Sequence, residues 1–134
     1  MSNKTLTLTE TSKKDFRTEV RMEDPTTGLD FEFTFEVDTG SPDALALPDY
    51  CCASFNNRIG REPRGGAGTG LSDIYSVKIT EIGGESVSHY TSAIMSLDNS
   101  YNYGLIGIDL LRYMFTEIQG SPNNKKMEMK FKHL

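Results

Sequence analysis

Tryptophan is missing from this chain, and only two cysteines and two histidines occur among its 134 residues, so the side chains that most often build metal and thiol chemistry are scarce. The cysteines, Cys51 and Cys52, are neighbours: a bridge between them would close a strained ring, and no distant partner exists. Free thiols are expected. No Cys-x-x-Cys and no histidine at ligand spacing supports a redox switch or a metal pair, and His89 and His133 stand alone, as exposed or hydrogen-bonded histidines do. No metal and no cofactor are expected. Positive charge is also short, 14 Lys and Arg against 19 Asp and Glu for a net charge of -5, which argues against a nucleic-acid or anionic-membrane partner. No apolar run approaches the length that crosses a bilayer, and Met1 to Leu6 lacks the apolar centre of a signal peptide, so a cytoplasmic protein is expected. Internal repeats and low-complexity linkers are absent as well. Residues 1–134 read as one domain, with 1–15 a flexible tail or an added edge strand.

What the sequence does have is alternation. Leu29, Phe31, Phe33, Phe35 and Val37 fall on one face of an extended segment, and Asp30, Glu32, Thr34 and Glu36 on the other, the period-two pattern of a half-buried strand. The strand runs into Asp38-Thr39-Gly40-Ser41. Gly40 stops it, and the Thr39 and Ser41 hydroxyls are placed to bond back to the loop or to a carboxylate. From spacing alone, the same four residues also make an Asx-type turn that merely ends a strand.

Elsewhere the chain is read more coarsely. Thr18 to Met22 alternates and Glu23 to Gly28 is rich in turn residues, giving a hairpin into the strand before Asp38. From Pro48 to Gly70 there is little periodicity, and Arg58, Arg61 and Arg64 stand beside a glycine-rich run, so a loop is expected. Its Gly-x-Gly-x-Gly lacks the Lys-Ser or Lys-Thr of a phosphate cradle, and a strand follows it. Tyr75, Val77 and Ile79 begin a second hairpin that turns at Gly83-Gly84. Leu110, Leu111, Met114 and Phe115 recur at helical spacing, and Met127, Met129 and Phe131 alternate as a terminal strand.

The apolar strand into Asp38-Thr39-Gly40-Ser41, the short apolar Ala44 to Leu47, the glycine-rich Gly68-Thr69-Gly70 and the late Leu105-Ile106-Gly107 before a helix follow one another in order over Phe31 to Met114. In that order they resemble the retropepsin-like aspartic proteases of clan AA, the single-domain homodimeric type. Ala67 stands where pepsin-like flaps carry a tyrosine, and retropepsin flaps lack that tyrosine too.

The resemblance implies an all-β fold, a retropepsin-like closed or partly open β-barrel with one short helix near the C-terminus. It implies an aspartic endopeptidase acting on peptide or protein substrates, with Asp38 as the catalytic residue that activates water. Thr39, Gly40 and Ser41 would form the active-site loop, and Gly68, Thr69 and Gly70 the substrate-binding flap. With one Asp-Thr-Gly per chain the second carboxylate would come from a second copy, so a homodimer is expected. The tail at Met127, Met129 and Phe131 would offer an open edge to the partner's termini. The competing expectation is a non-catalytic peptide-binding or dimerisation module on the same barrel, which needs no aspartate at the loop.

Overall fold

The computed structural model describes residues 4–63, 70–121, 123 and 125–132. Ten strands and one α-helix follow in the order β1 (Thr5–Thr9), β2 (Arg17–Glu23), β3 (Asp30–Val37), β4 (Leu45–Pro48), β5 (Arg58–Pro63), β6 (Leu71–Ile82), β7 (Glu85–Leu97), β8 (Gly104–Ile106), α1 (Ile108–Met114), β9 (Phe115–Ser121) and β10 (Lys126–Phe131). Six of the strands close a barrel in the order β2, β3, β8, β4, β7, β6, with β6 returning to β2. The all-β barrel with one short helix is the expected architecture.

The alternation becomes a core. Val20 and Met22 of β2, Phe35 of β3, Val77, Ile79 and Ile82 of β6, and Ala93 and Met95 of β7 are buried inward. β4 is buried at all four positions, which explains its unbroken apolar run: it is hydrogen-bonded to β7 on one edge and β8 on the other. Leu29 departs from the pattern. It precedes β3 and is 55% exposed, because Asp24 and Leu29 already belong to the turn.

Two strands lie where the sequence showed none or misled, and a third, placed correctly, has other neighbours than expected. The stretch from Pro48 to Gly70 is not all loop: Asp49–Ser54 forms a 3-10 turn, and β5 pairs antiparallel with the first half of β6. Polar residues hid this strand, since Arg58 and Arg61 reach across to Asp73 instead of burying a face. β9 was masked by Phe115, whose spacing looks helical. The helix ends at Met114, and Phe115 instead packs its ring on Phe131, 4.7 Å between centroids. The third correction concerns β10, which sits in the middle of a separate sheet ordered β1, β10, β9, with both of its edges paired inside the chain. The open edges of that sheet belong to β1 and β9.

The turn between β2 and β3 is held by a fully buried carboxylate. Asp24 accepts the Thr26 and Thr27 N–H groups on Oδ1, at 2.8 and 3.0 Å, and the Asn56 N–H on Oδ2 at 2.6 Å. Burial opposes its ionisation, but the N–H groups of Asn56, Thr27, Thr26 and Asn57 prevail and hold its pKa below the usual value. The stabilisation is therefore present above the ordinary carboxylate pKa and is lost as pH falls through the lowered one. Asp24→Ala would strand buried donors and is expected to cost about 3 kcal/mol, read as a fall in urea midpoint at neutral pH that shrinks in acid.

Candidate active site

β3 carries the chain to Asp38, and β8 runs parallel beside it with Val37 opposite Ile106. The Asp38 N–H continues that ladder, donating to the Ile106 carbonyl at 2.9 Å. Asp38 thus leaves the sheet with its backbone still fixed by a barrel strand. The chain then turns: the Ser41 N–H donates to the Asp38 carbonyl at 3.1 Å, and the Gly40 N–H donates to Asp38 Oδ1 at 3.0 Å. That backbone donor, instead of a Thr39 or Ser41 hydroxyl, is what reaches the carboxylate within the chain. Asp38 is half-buried, Thr39 and Gly40 are exposed, and Ser41 is buried.

The far side of the loop is tied to the start of α1. The Ile108 N–H donates to the Ser41 carbonyl at 2.9 Å and the Gly107 N–H to the Ala44 carbonyl at 3.0 Å. The late Leu105-Ile106-Gly107 and the Asp38 loop are therefore one structural unit, built from segments about seventy residues apart. Of the flap residues, Gly68 and Thr69 lie outside the described residues. Gly70 is described, with φ +95, immediately before β6. It belongs to the hairpin of β5 and β6, closed by the Pro63 to Leu71 pair, and not to the β6 and β7 hairpin that follows.

Several charged groups near the loop went unread in the sequence. Glu36, two residues before Asp38 on the same side of the strand, is half-buried and makes no hydrogen bond or ion pair among the described residues. Burial, then the charges of Asp15 and Asp38, raise its pKa. Across the hairpin Arg17 is its register partner, yet that guanidinium is held by Asp15 through Nε and Nη2 at 3.1 and 2.9 Å and lies 4.1 Å from the Tyr103 ring centroid. Beyond the loop, Asp43 is raised by burial and then by Glu62 of β5 and Asp109 of α1. The alternation had marked Glu36 only as a solvent-face residue. The register of β2 against β3 was the signal that would have set it beside Arg17.

Cys51 is buried and Cys52 exposed, both free; burial pushes the Cys51 thiol up to about 12. His89 stacks on Tyr113, 4.5 Å between ring centroids, in a cleft of about 410 Å³ between β7 and α1, and burial lowers its pKa. His133 lies outside the described residues. Among the described residues no group of three His, Cys, Asp or Glu side chains is placed to hold a metal ion. Among the described residues no helix is long and apolar enough to cross a membrane.

No family model matches the sequence, and no curated protein does. Among solved structures, the chain is similar to a retropepsin-like aspartic protease from Rickettsia conorii, with a TM-score of 0.65 over 96% of this chain and 91% of that one, at 13% identity. A foamy viral protease-reverse transcriptase in complex with double-stranded DNA aligns over 78% of this chain and 16% of that one, at 16% identity and a TM-score of 0.47. The first of these spans nearly the whole of both chains, and with the closed barrel, its loop at Asp38 and its single short helix it identifies the architecture of this chain as the retropepsin-like fold.

Proposed function

We propose that the chain is an aspartic endopeptidase whose site is completed by a second copy of itself. The observation that carries this reading is the Asp38 loop: a half-exposed carboxylate whose backbone is fixed by β8 on one side and whose loop is fixed by α1 on the other. Such a carboxylate is held in place and is still reachable by water and substrate. One copy supplies one Asp-Thr-Gly. Two Asp38 side chains meeting across a twofold axis would share a proton, since like charges at close range cannot both ionise cheaply. The ionised partner would take a proton from water as it attacks the scissile carbonyl, and the protonated partner would hydrogen-bond to that carbonyl. An extended peptide would lie between this loop and the hairpin of β5 and β6.

The open edge of β9 is the surface we assign to the partner, because β10 is already paired on both sides. Two β9 strands running antiparallel and centred on Ile118 would set Glu117 opposite the partner's Gln119, whereas centring on Glu117 would oppose two like charges. Ile118, 37% exposed, would then meet its own copy beside a cleft lined by Ile108, Leu111 and Phe115. Specific peptidase activity should fall on dilution as the dimer dissociates, with sedimentation following the same midpoint. Mixing wild type with a ninefold excess of Asp38→Asn, after subunit exchange, should leave about a tenth of the activity per wild-type chain. Ile118→Lys should weaken the dimer at least about tenfold without unfolding the monomer. A chain that sediments as a monomer at every concentration and still cleaves peptides would refute the shared site.

A further inference from the structure

The surroundings of Asp38 say what kind of peptide suits it. Two carboxylates flank the loop in sequence, Glu36 before it and Asp43 after it, and both are partly withdrawn from water. Neither makes a hydrogen bond or an ion pair within the described residues. Among the described residues the single cation acting on Glu36 is Arg17, and it is already spoken for: it donates from Nε and Nη2 to Asp15 Oδ2, and the Tyr103 ring covers its face. Among the described residues no cation acts on Asp43, only Glu62 and Asp109. An unpaired, half-desolvated carboxylate beside other carboxylates is costly in the free protein, and a cation that enters relieves that cost.

We infer that the Asp38 site takes extended peptides carrying lysine or arginine next to the position held over Asp38, with Glu36 and Asp43 as the residues that select them. This rests on the peptidase reading and deepens it to a substrate class. Strand geometry supports the assignment. Glu36 and Asp38 are two residues apart on β3 and its continuation, so their side chains project to the same side. Asp43 lies where the chain leaves the loop for β4, between Glu62 of the β5 and β6 hairpin and Asp109 of α1. A bound peptide's side chains alternate, so neighbouring positions would meet the two carboxylates on different sides of the loop. Burial raises the pKa of both, so the selection should strengthen from acid towards neutral pH as they ionise, with Asp15, Arg17, Tyr103 and Asp38 around Glu36, and Glu62 and Asp109 around Asp43, as the other titratable or charged groups in play.

The test uses the full chain carrying Asp38→Asn, so that binding is read without turnover. Isothermal titration compares an extended hexapeptide with lysine at its two central positions against the same peptide with norleucine. Lysine should bind about tenfold more tightly at neutral pH, and Glu36→Gln with Asp43→Asn should bring the two peptides level. Both substitutions are isosteric at partly exposed positions, and an unchanged urea midpoint confirms that they fold. Equal binding of the two peptides, a preference that survives both substitutions, or binding of neither peptide would overturn the inference. Hydrolysis of the lysine peptide by wild type is scored separately: lysine-selective binding without cleavage would remove the peptidase and leave the selectivity standing.

Discussion

Asp38→Asn should reduce peptide hydrolysis by about a thousandfold or more while changing the unfolding free energy by less than about 1 kcal/mol. The two outcomes separate because the substitution keeps everything that holds the loop. The Asp38 N–H still reaches the Ile106 carbonyl, the Ser41 N–H still reaches the residue 38 carbonyl, and an amide oxygen replaces the Oδ1 that accepts the Gly40 N–H. Only the ability to take a proton from water is lost. Assayed across pH, the wild type should be most active in the acid to mildly acid range and decline as the shared proton leaves the pair. Activity that climbs into alkaline solution would point to another base, and full activity of purified Asp38→Asn would end the mechanism. A barrel that served only to bind peptides would show no hydrolysis in either form.

The largest structural effect should come from one methyl group. A Cβ on Gly107 would lie 1.8 Å from the Asp43 carbonyl oxygen, 2.7 Å from the Ser41 carbonyl oxygen and 2.9 Å from the Asp43 carbonyl carbon. All three atoms are backbone, so no rotamer change makes room, and the loop itself must move. Gly107→Ala should cost about 4 kcal/mol or more, and whatever folds should have lost the Ile108 to Ser41 hydrogen bond that steadies the active-site loop. Gly60→Ala is the matched control. Its Cβ would meet only the Ile74 Cδ1 at 4.0 Å, an ordinary contact, and its unfolding midpoint should stay within the range of about 0.5 kcal/mol. Equal urea midpoints for the two variants would show that the close packing at Gly107 is not a constraint.

The sequence spoke clearly where one face of a strand is apolar. Phe31, Phe33, Phe35 and Val37 marked β3, and Tyr75, Val77 and Ile79 marked β6, because a buried face imposes period two. It was silent at β5, whose side chains make salt bridges over an open surface, and misleading at Phe115, where helix and strand meet without a break in hydrophobicity. Asp38 was legible because its loop is local, four consecutive residues. The unit that holds it was less so, since the Ser41 to Ile108 and Ala44 to Gly107 hydrogen bonds depend on pairing over long separations. Glu36, Arg17 and Asp43 were invisible as a group for the same reason: each is unremarkable alone, and only the register of β2 on β3 and the docking of the loop on α1 give them common surroundings.

The terminal sheet also sets how the protein answers to force. β1 and β10 are antiparallel, with Thr5 opposite Lys130 and Thr9 opposite Lys126. The outer ends of the two strands, towards Lys4 and Lys132, therefore lie at the same end of the pair. Tension applied there loads the hydrogen bonds in sequence, as in opening a zip, and not all at once as in shear. β1 should peel away at low force, starting from Thr5 and Lys130, before the closed barrel yields. Each step frees more of the β10 edge, so a chain pulled in this way, or lacking β1, would expose a strand able to pair with another copy while the Asp38 loop stays seated on α1.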